Sequence, residues 1–402
     1  DVSFRSGGAA ITGNGGDVRI DAATLSLSGG GVIGTVSPVG ETGGAIRIDA
    51  GTVNLEDGNI RTVAAGGDGG EVLIGGGSFL ANGGSVQSLS FPNESGNGRA
   101  GAVTIAMADS ISGVMNSFVD AASYGDGGLS PVTLKAASVV LDGPDFDRAS
   151  GVQMIAYQGP TSTISIEGNA VTAPMGRLIN EARADAELTV GDGYGSISVS
   201  GDTLSLGLSH EGEVQKTVAN SLTFYTHSRN AGQTGNISVV AANDLRLGGI
   251  SIVQEGLLLA GKGFVESGPV GRGANVLFQG QNVTAQTSPG SNGGFASFDG
   301  RYTGNLTFAA EDQLTLGLAR YIYVNSDPSE THSLTFKGRS ISIGLEEPYN
   351  ANRWGTSFLL VHEDIVEYTA PNLVMRANET ITFHPGFQTN DDFDTVGPNK
   401  GL

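Results

Sequence analysis

The residues with chemical capacity are few and scattered. Asp145, Asp147 and Arg148 fall together in Gly143-Pro144-Asp145-Phe146-Asp147-Arg148. Two carboxylates facing each other across a groove can hydrolyse a glycosidic bond, and a basic residue beside a neutralised uronate can abstract the proton in a lyase. Here all three sit on one Pro-Gly turn, so a solvated loop is the expectation. A net charge of -20 also works against binding a uronate polymer. His210-Glu211-Gly212-Glu213 and His362-Glu363-Asp364 pair imidazole with acid, and His227, His332 and His384 stand apart. None has the i, i+4 spacing of a zinc-binding helix.

Two glycine-rich segments look like ligand loops and read better as turns. Gly96-Asn97-Gly98-Arg99-Ala100-Gly101 fits the dinucleotide pattern, but it precedes an alternating run, Val103-Thr104-Ile105, where a phosphate loop follows a strand and opens a helix. Gly66-Gly67-Asp68-Gly69-Gly70 and Tyr124-Gly125-Asp126-Gly127-Gly128 approach a calcium nonapeptide, yet do not recur every nine residues. The expectation is no cofactor, apart from weak surface calcium that so acidic a chain would permit. Asn-x-Ser/Thr sequences occur at Asn93, Asn236, Asn282, Asn305 and Asn378, as expected where Asn, Ser and Thr are simply common.

Composition narrows the scaffold that must carry these residues. The chain has 402 residues, 64 of them glycine, with 41 acids against 21 Lys plus Arg and no cysteine. Disulfides and cysteine-bound metals are excluded. Nucleic acid is disfavoured as a partner because the chain repels phosphate. No apolar run approaches the length of a membrane span. A 39% apolar content is enough for a core. Residues 1–14 lack the charged start and apolar centre of a signal peptide, so the chain reads as mature or as part of a longer protein.

The organising feature is a repeat. Asp17-Val18-Arg19-Ile20-Asp21-Ala22 aligns with Ala45-Ile46-Arg47-Ile48-Asp49-Ala50, each followed by a second alternation, a small turn and a third short run. The pattern begins again at Val18, Ile46, Val72, Val103, Val132, Ile164, Ile197, Ile237, Val276, Leu306, Leu334 and Leu373, a mean spacing of about 32 residues. One such coil cannot bury its apolar side chains alone, whereas stacked coils can. The expected fold is all-β: a parallel β-helix, expected right-handed, of about 12 coils with three short strands each. Val18, Ile46, Val72, Val103 and Val132 are expected to share one inward column, with Arg19 and Arg47 outward. Ser, Thr, Arg and Asp are assigned to the solvated face. A β-propeller needs four strands and a more even repeat. Met175–Ala186 is the one stretch with a trace of helical pattern and reads as a loop excursion. The solenoid is expected to span 1–380, with a cap or tail at 381–402 and protruding loops near 207–234 and 248–272.

Gly15-Gly16-Asp17-Val18-Arg19-Ile20-Asp21-Ala22-Ala23-Thr24-Leu25-Ser26-Leu27 and Gly235-Asn236-Ile237-Ser238-Val239 resemble the repeats of the filamentous-haemagglutinin family, exoproteins of two-partner secretion. The resemblance covers about 7–380 and is strongest in 7–110. It implies a right-handed shaft with an adhesive or matrix role. The Asn-Pro-Asn motifs of that family's secretion domain are not matched; Ala370-Pro371-Asn372-Leu373 is a faint echo at the far end.

The functional expectation is therefore a non-enzymatic structural or adhesive protein, extracellular or on a bacterial cell surface. Its partners would be further copies of itself joined head to tail, or cell-surface and matrix glycans. The alternative is a β-helix that binds or cleaves polysaccharide. Fourteen of the 26 aromatic residues lie between Phe295 and Phe393. The first coil, Phe4 to Val36, shows no Pro or Lys to shield its edge. These features name Val2, Phe4, Trp354, Phe358, Tyr368 and Phe383 as the candidate assembly interface.

Overall fold

The computed structural model describes residues 2–4, 10–14, 16–37, 42–92, 98–143, 150–157, 159–182, 195–208, 222–228, 235–248, 250–256, 275–285, 296–298, 305–316, 333–343 and 372–383. They form two all-parallel sheets, one of 13 strands and one of 10, each stacked in chain order. Every coil adds one long strand to the first sheet. From the part-coil at the amino-terminal end through nine full coils, it also adds a shorter strand to the second. This is a parallel β-solenoid. Numbering coils from Val18, coil 1 comprises Val18–Ser28 and Val32–Ser37, and coil 12 contributes Asn372–Phe383.

All twelve repeat starts fall in register, rung on rung. Val18 pairs with Ile46, Ile46 with Val72, and so on to Leu306 with Leu334 and Leu334 with Leu373. Ile46, Val72, Val103 and Val132 are completely buried, Val18 at the end of the column is half-buried, and Arg19 and Arg47 are exposed. The spacing varies from 26 to 40 residues, yet the repeat starts stay paired, because most of the length is taken up between strands.

The strand count per coil differs from the expectation of three. The first two alternations are one continuous hydrogen-bonded strand, bent in the middle. In Ile46–Glu56 the buried residues are Ile46, Ile48 and Ala50, then Val53 and Leu55. The step of three between Ala50 and Val53 changes which parity faces inward, so the strand turns a corner without leaving the sheet. Register slips recur at this corner, for instance between Gly76 and Ser78 and between Gly280 and Asn282. Gly76 adopts φ +136 there, and a Cβ would strike the Ala50 carbonyl, so only glycine fits.

Three sequence readings change. Gly176–Ala182, read as a loop excursion, is a strand of the second sheet that buries Leu178, Asn180 and Ala182 at a spacing of two. The segments 207–234 and 248–272 each contain a second-sheet strand, Leu222–Ser228 and Ile250–Gly256; what flanks those strands lies outside the described residues. The edge of coil 1 is not bare. Val2–Phe4 pairs with Leu25–Leu27, and Ala10–Asn14 with Val32–Val36, so a part-coil already covers much of it.

The core is a bundle of axial columns. The Ile20, Ile48, Ile74 column continues through Val199 and Val239 and becomes aromatic at Phe278, Phe308 and Phe336. Those rings stack with centroids 5.2 and 5.6 Å apart, close to the rise per coil. Inward hydroxyls were not anticipated. Thr35 and Thr62 point into the core, where their Oγ1 atoms donate to the carbonyls of Gly44 (2.8 Å) and Gly70 (2.9 Å). Ser88 and Ser90 do the same towards Gly70 and Gly98. These bonds tie the second sheet to the glycine-rich return segments, whose own backbones stack so closely that a Cβ on Gly70 would meet the Gly44 carbonyl oxygen. Among the described residues no helix is long and apolar enough to cross a membrane.

Candidate binding face of the second sheet

Alternation sends every second residue of a second-sheet strand outward, and stacking turns those residues into columns along the axis. One column runs Arg61, Gln87, Asp120, Gln153, Ile179, Tyr225. Its neighbour runs Val63, Leu89, Ala122, Ile155, Glu181. At the strand ends Phe91, Tyr124 and Tyr157 stack, with centroids 4.7 and 4.4 Å apart and planes within 12°. Such spacing is what identical positions on successive coils produce. It also means that Tyr124 offers its edge outward, since both its faces are occupied by rings.

The face is poor in charge for so acidic a chain. Among its described side chains only Arg61, Asp120, Arg177 and Glu181 are ionisable acids or bases, two of each sign. The outward face of the first sheet carries Arg19, Asp21, Arg47, Asp49, Lys135 and Glu167 and holds exposed ion pairs, Arg19–Asp21 at 3.1 Å and Lys135–Glu167 at 2.9 Å. Exposed pairs of this kind add little stability.

Asp120 is the unusual group. It is outward by register yet only 7% exposed, between Phe118 and Ala122 on its own strand and Gln87 and Gln153 on the flanking ones. Gln87 Nε2 donates to Oδ2 at 3.3 Å, and Gln153 also bonds the carboxyl. Oδ1 is buried without a partner. Burial pushes the carboxyl up to about 6, against the two glutamine bonds, which favour the ionised form. The group therefore changes charge just below neutral pH. Sequence reading passed over Asp120. The signal was available: aligning the repeats sets an acid between two glutamines on adjacent rungs.

Among the described residues, those singled out by sequence are not gathered into one site. Asp145, Asp147, Arg148, His210, His332, His362, His384, Asn93, Trp354, Phe358 and Tyr368 lie outside the described residues. His227 is on the second-sheet strand Leu222–Ser228. Val2 and Phe4 are on the first strand, and Phe383, 47% exposed, ends the last one. Asp68 of the first calcium-like loop accepts the Arg99 backbone N–H at 2.8 Å, a bond from one return segment to the next. Asn236, Asn282 and Asn305 hold neighbouring coils: Asn236 Oδ1 accepts the Asn275 N–H, Asn282 Nδ2 donates to Asp244, and Asn305 Oδ1 accepts the Ser333 N–H. Among the described residues no three His, Cys, Asp or Glu side chains come close enough to hold a metal.

No family model matches the chain, and neither the curated proteins nor the solved structures yield a match.

Proposed function

We propose that this protein is a non-enzymatic structural or adhesive β-solenoid, extracellular or on a bacterial cell surface, of the filamentous-haemagglutinin kind. The observation that carries the reading is the continuous parallel pairing of twelve coils over a chain whose spacings vary by half. A stack of this kind is stiff along its axis, because every rung is hydrogen-bonded to the next. At about 4.8 Å per coil it extends roughly 55–60 Å. Such a rod works by its shape and by what its faces touch, and the charge-poor second-sheet face is the surface best suited to matrix or cell-surface glycans. Its last first-sheet strand leaves Ile381 and Phe383 40% and 47% exposed, while Ile341 and Ile343 one rung before are buried. That apolar strand is suited to a further rung, from this chain or from another copy.

A second reading, a β-helix that binds or cleaves polysaccharide, draws support from Asp120, a carboxyl that titrates near neutral pH on a face of amides and aromatic rings. One experiment separates the two. Purified protein is incubated with a panel of matrix polysaccharides, then assayed for retention on the immobilised polymers, for polymer length, and by negative-stain microscopy. Retention or end-to-end fibres with unchanged polymer length is the expected result. Shortened polymer overturns the non-enzymatic reading, and neither retention nor fibres removes the adhesive one.

A further inference from the structure

We propose that Asp120 is an acid-responsive latch on the shaft: protonation of its carboxyl fastens coils 3, 4 and 5 together, and ionisation loosens them. The geometry singles out this one rung. An outward-facing carboxyl is only 7% exposed, and one of its oxygens meets neither solvent nor, among the described residues, a donor. A carboxylate enclosed in this way is costly unless a cation or several donors compensate, so the neutral acid is favoured.

Among the described residues no compensating charge faces it. On its own strand the outward neighbours are Phe118 and Ala122. On the strand before, Gln87 is flanked by Ser85 and Leu89; on the strand after, Gln153 is flanked by Gly151 and Ile155. The closest ionisable residues on this face are Arg61, one strand beyond Gln87, and Arg177 and Glu181, one strand beyond Gln153. Each is two rungs away, about 10 Å or more. Among the described residues the groups that act on the carboxyl are the two glutamines. When the acid is protonated its O–H becomes a donor, and a glutamine amide turned about its axis presents a carbonyl to receive it. The column Gln87–Asp120–Gln153 then closes as a chain of neutral hydrogen bonds across three coils.

The direction of the effect follows from linkage. The carboxyl rises from 3.8 in an open chain to about 6 in the fold. Between those values the folded protein holds a proton that the opened one releases. The stabilisation is complete below the lower value and is lost as pH rises through the upper one.

The test is hydrogen exchange on the whole chain, wild type against Asp120→Asn, at pH 4.5 and 7.5. Peptides covering Ser85–Phe91, Phe118–Ser123 and Gly151–Ala156 should open on the order of 30-fold more readily at pH 7.5 in the wild type, after correction for intrinsic rates. Asp120→Asn, neutral at both values, should lack that increment. The same pH dependence in both proteins would overturn the latch. A carboxyl titration of the wild type decides the matter independently of the variant. A midpoint near 6 for Asp120 supports the proposal, and one near 4 ends it.

Discussion

Gly113 and Ala81 interrupt a column of larger residues. Leu55, Ala81, Gly113 and Leu141 occupy one inward position on successive coils, and beside the two small members lies a void of about 20 Å³. The void also touches Phe79, Ile111 and Val119, so its lining is mostly apolar. Gly113 does not use glycine's special freedom: a Cβ there would sit 3.5–3.7 Å from Ser150, Leu141 and Ser117, ordinary contact distance. Gly113→Ala should therefore stabilise the protein by about 0.5–1 kcal/mol, from a stiffer unfolded chain and a partly filled gap. Thermal or denaturant unfolding measures this, and a lower midpoint would show that the site is already full. Asp120 is the opposite case at the same scale. The core gap costs contacts at every pH, whereas the buried carboxyl weakens its rung only where it is ionised.

At the scale of the element, what the repeat makes legible is the register. On either side of its corner a first-sheet strand such as Ile46–Glu56 buries residues two apart, and that alternation aligns Val18 with Ile46 and Leu334 with Leu373 whatever lies between. Three features are hidden from such a pattern. The corner inside each first-sheet strand appears in sequence as a break between two alternations, which resembles a turn, and only the pairing on both sides of it shows one strand. Gly176–Ala182 mixes Arg177, Asn180 and Glu181 among its apolar residues, so its period of two is masked by composition. Ser and Thr suit a solvated face as well as an inward corner, and it is the nearby return-segment carbonyls that decide. The candidate face was less legible still, since Asp120 is unremarkable until its flanking rungs are known. Thr62 tests the hydroxyl corner. Thr62→Val keeps the shape and removes the donor to Gly70, whose carbonyl still accepts from Ser88 at 3.2 Å. The expected cost is about 1 kcal/mol, with faster hydrogen exchange concentrated in Asn59–Ala65 and the following return segment. An unchanged exchange pattern would show that the hydroxyl ladder is incidental.

For the whole molecule, stability is a chain of nearest-neighbour terms, because each coil touches mainly the coils before and after it. This explains why insertions between strands are tolerated and why a local weakness such as the ionised Asp120 stays local. It also makes one measurement the most direct test of the stacked register on which the functional reading rests. The chain has no cysteine, so two introduced thiols can report only on each other. Ser205 and Arg246 face outward on coils 7 and 8 and are register partners 41 residues apart, across one of the longest spacings in the chain. Strand neighbours in register lie within the reach of a disulfide, while positions two rungs apart, about 10 Å, do not. Ser205→Cys with Arg246→Cys should oxidise readily in the folded protein, and Ser205→Cys with Thr284→Cys, one coil further on, should remain reduced under the same conditions. Cross-linking of the second pair, or failure of the first, would contradict the solenoid register.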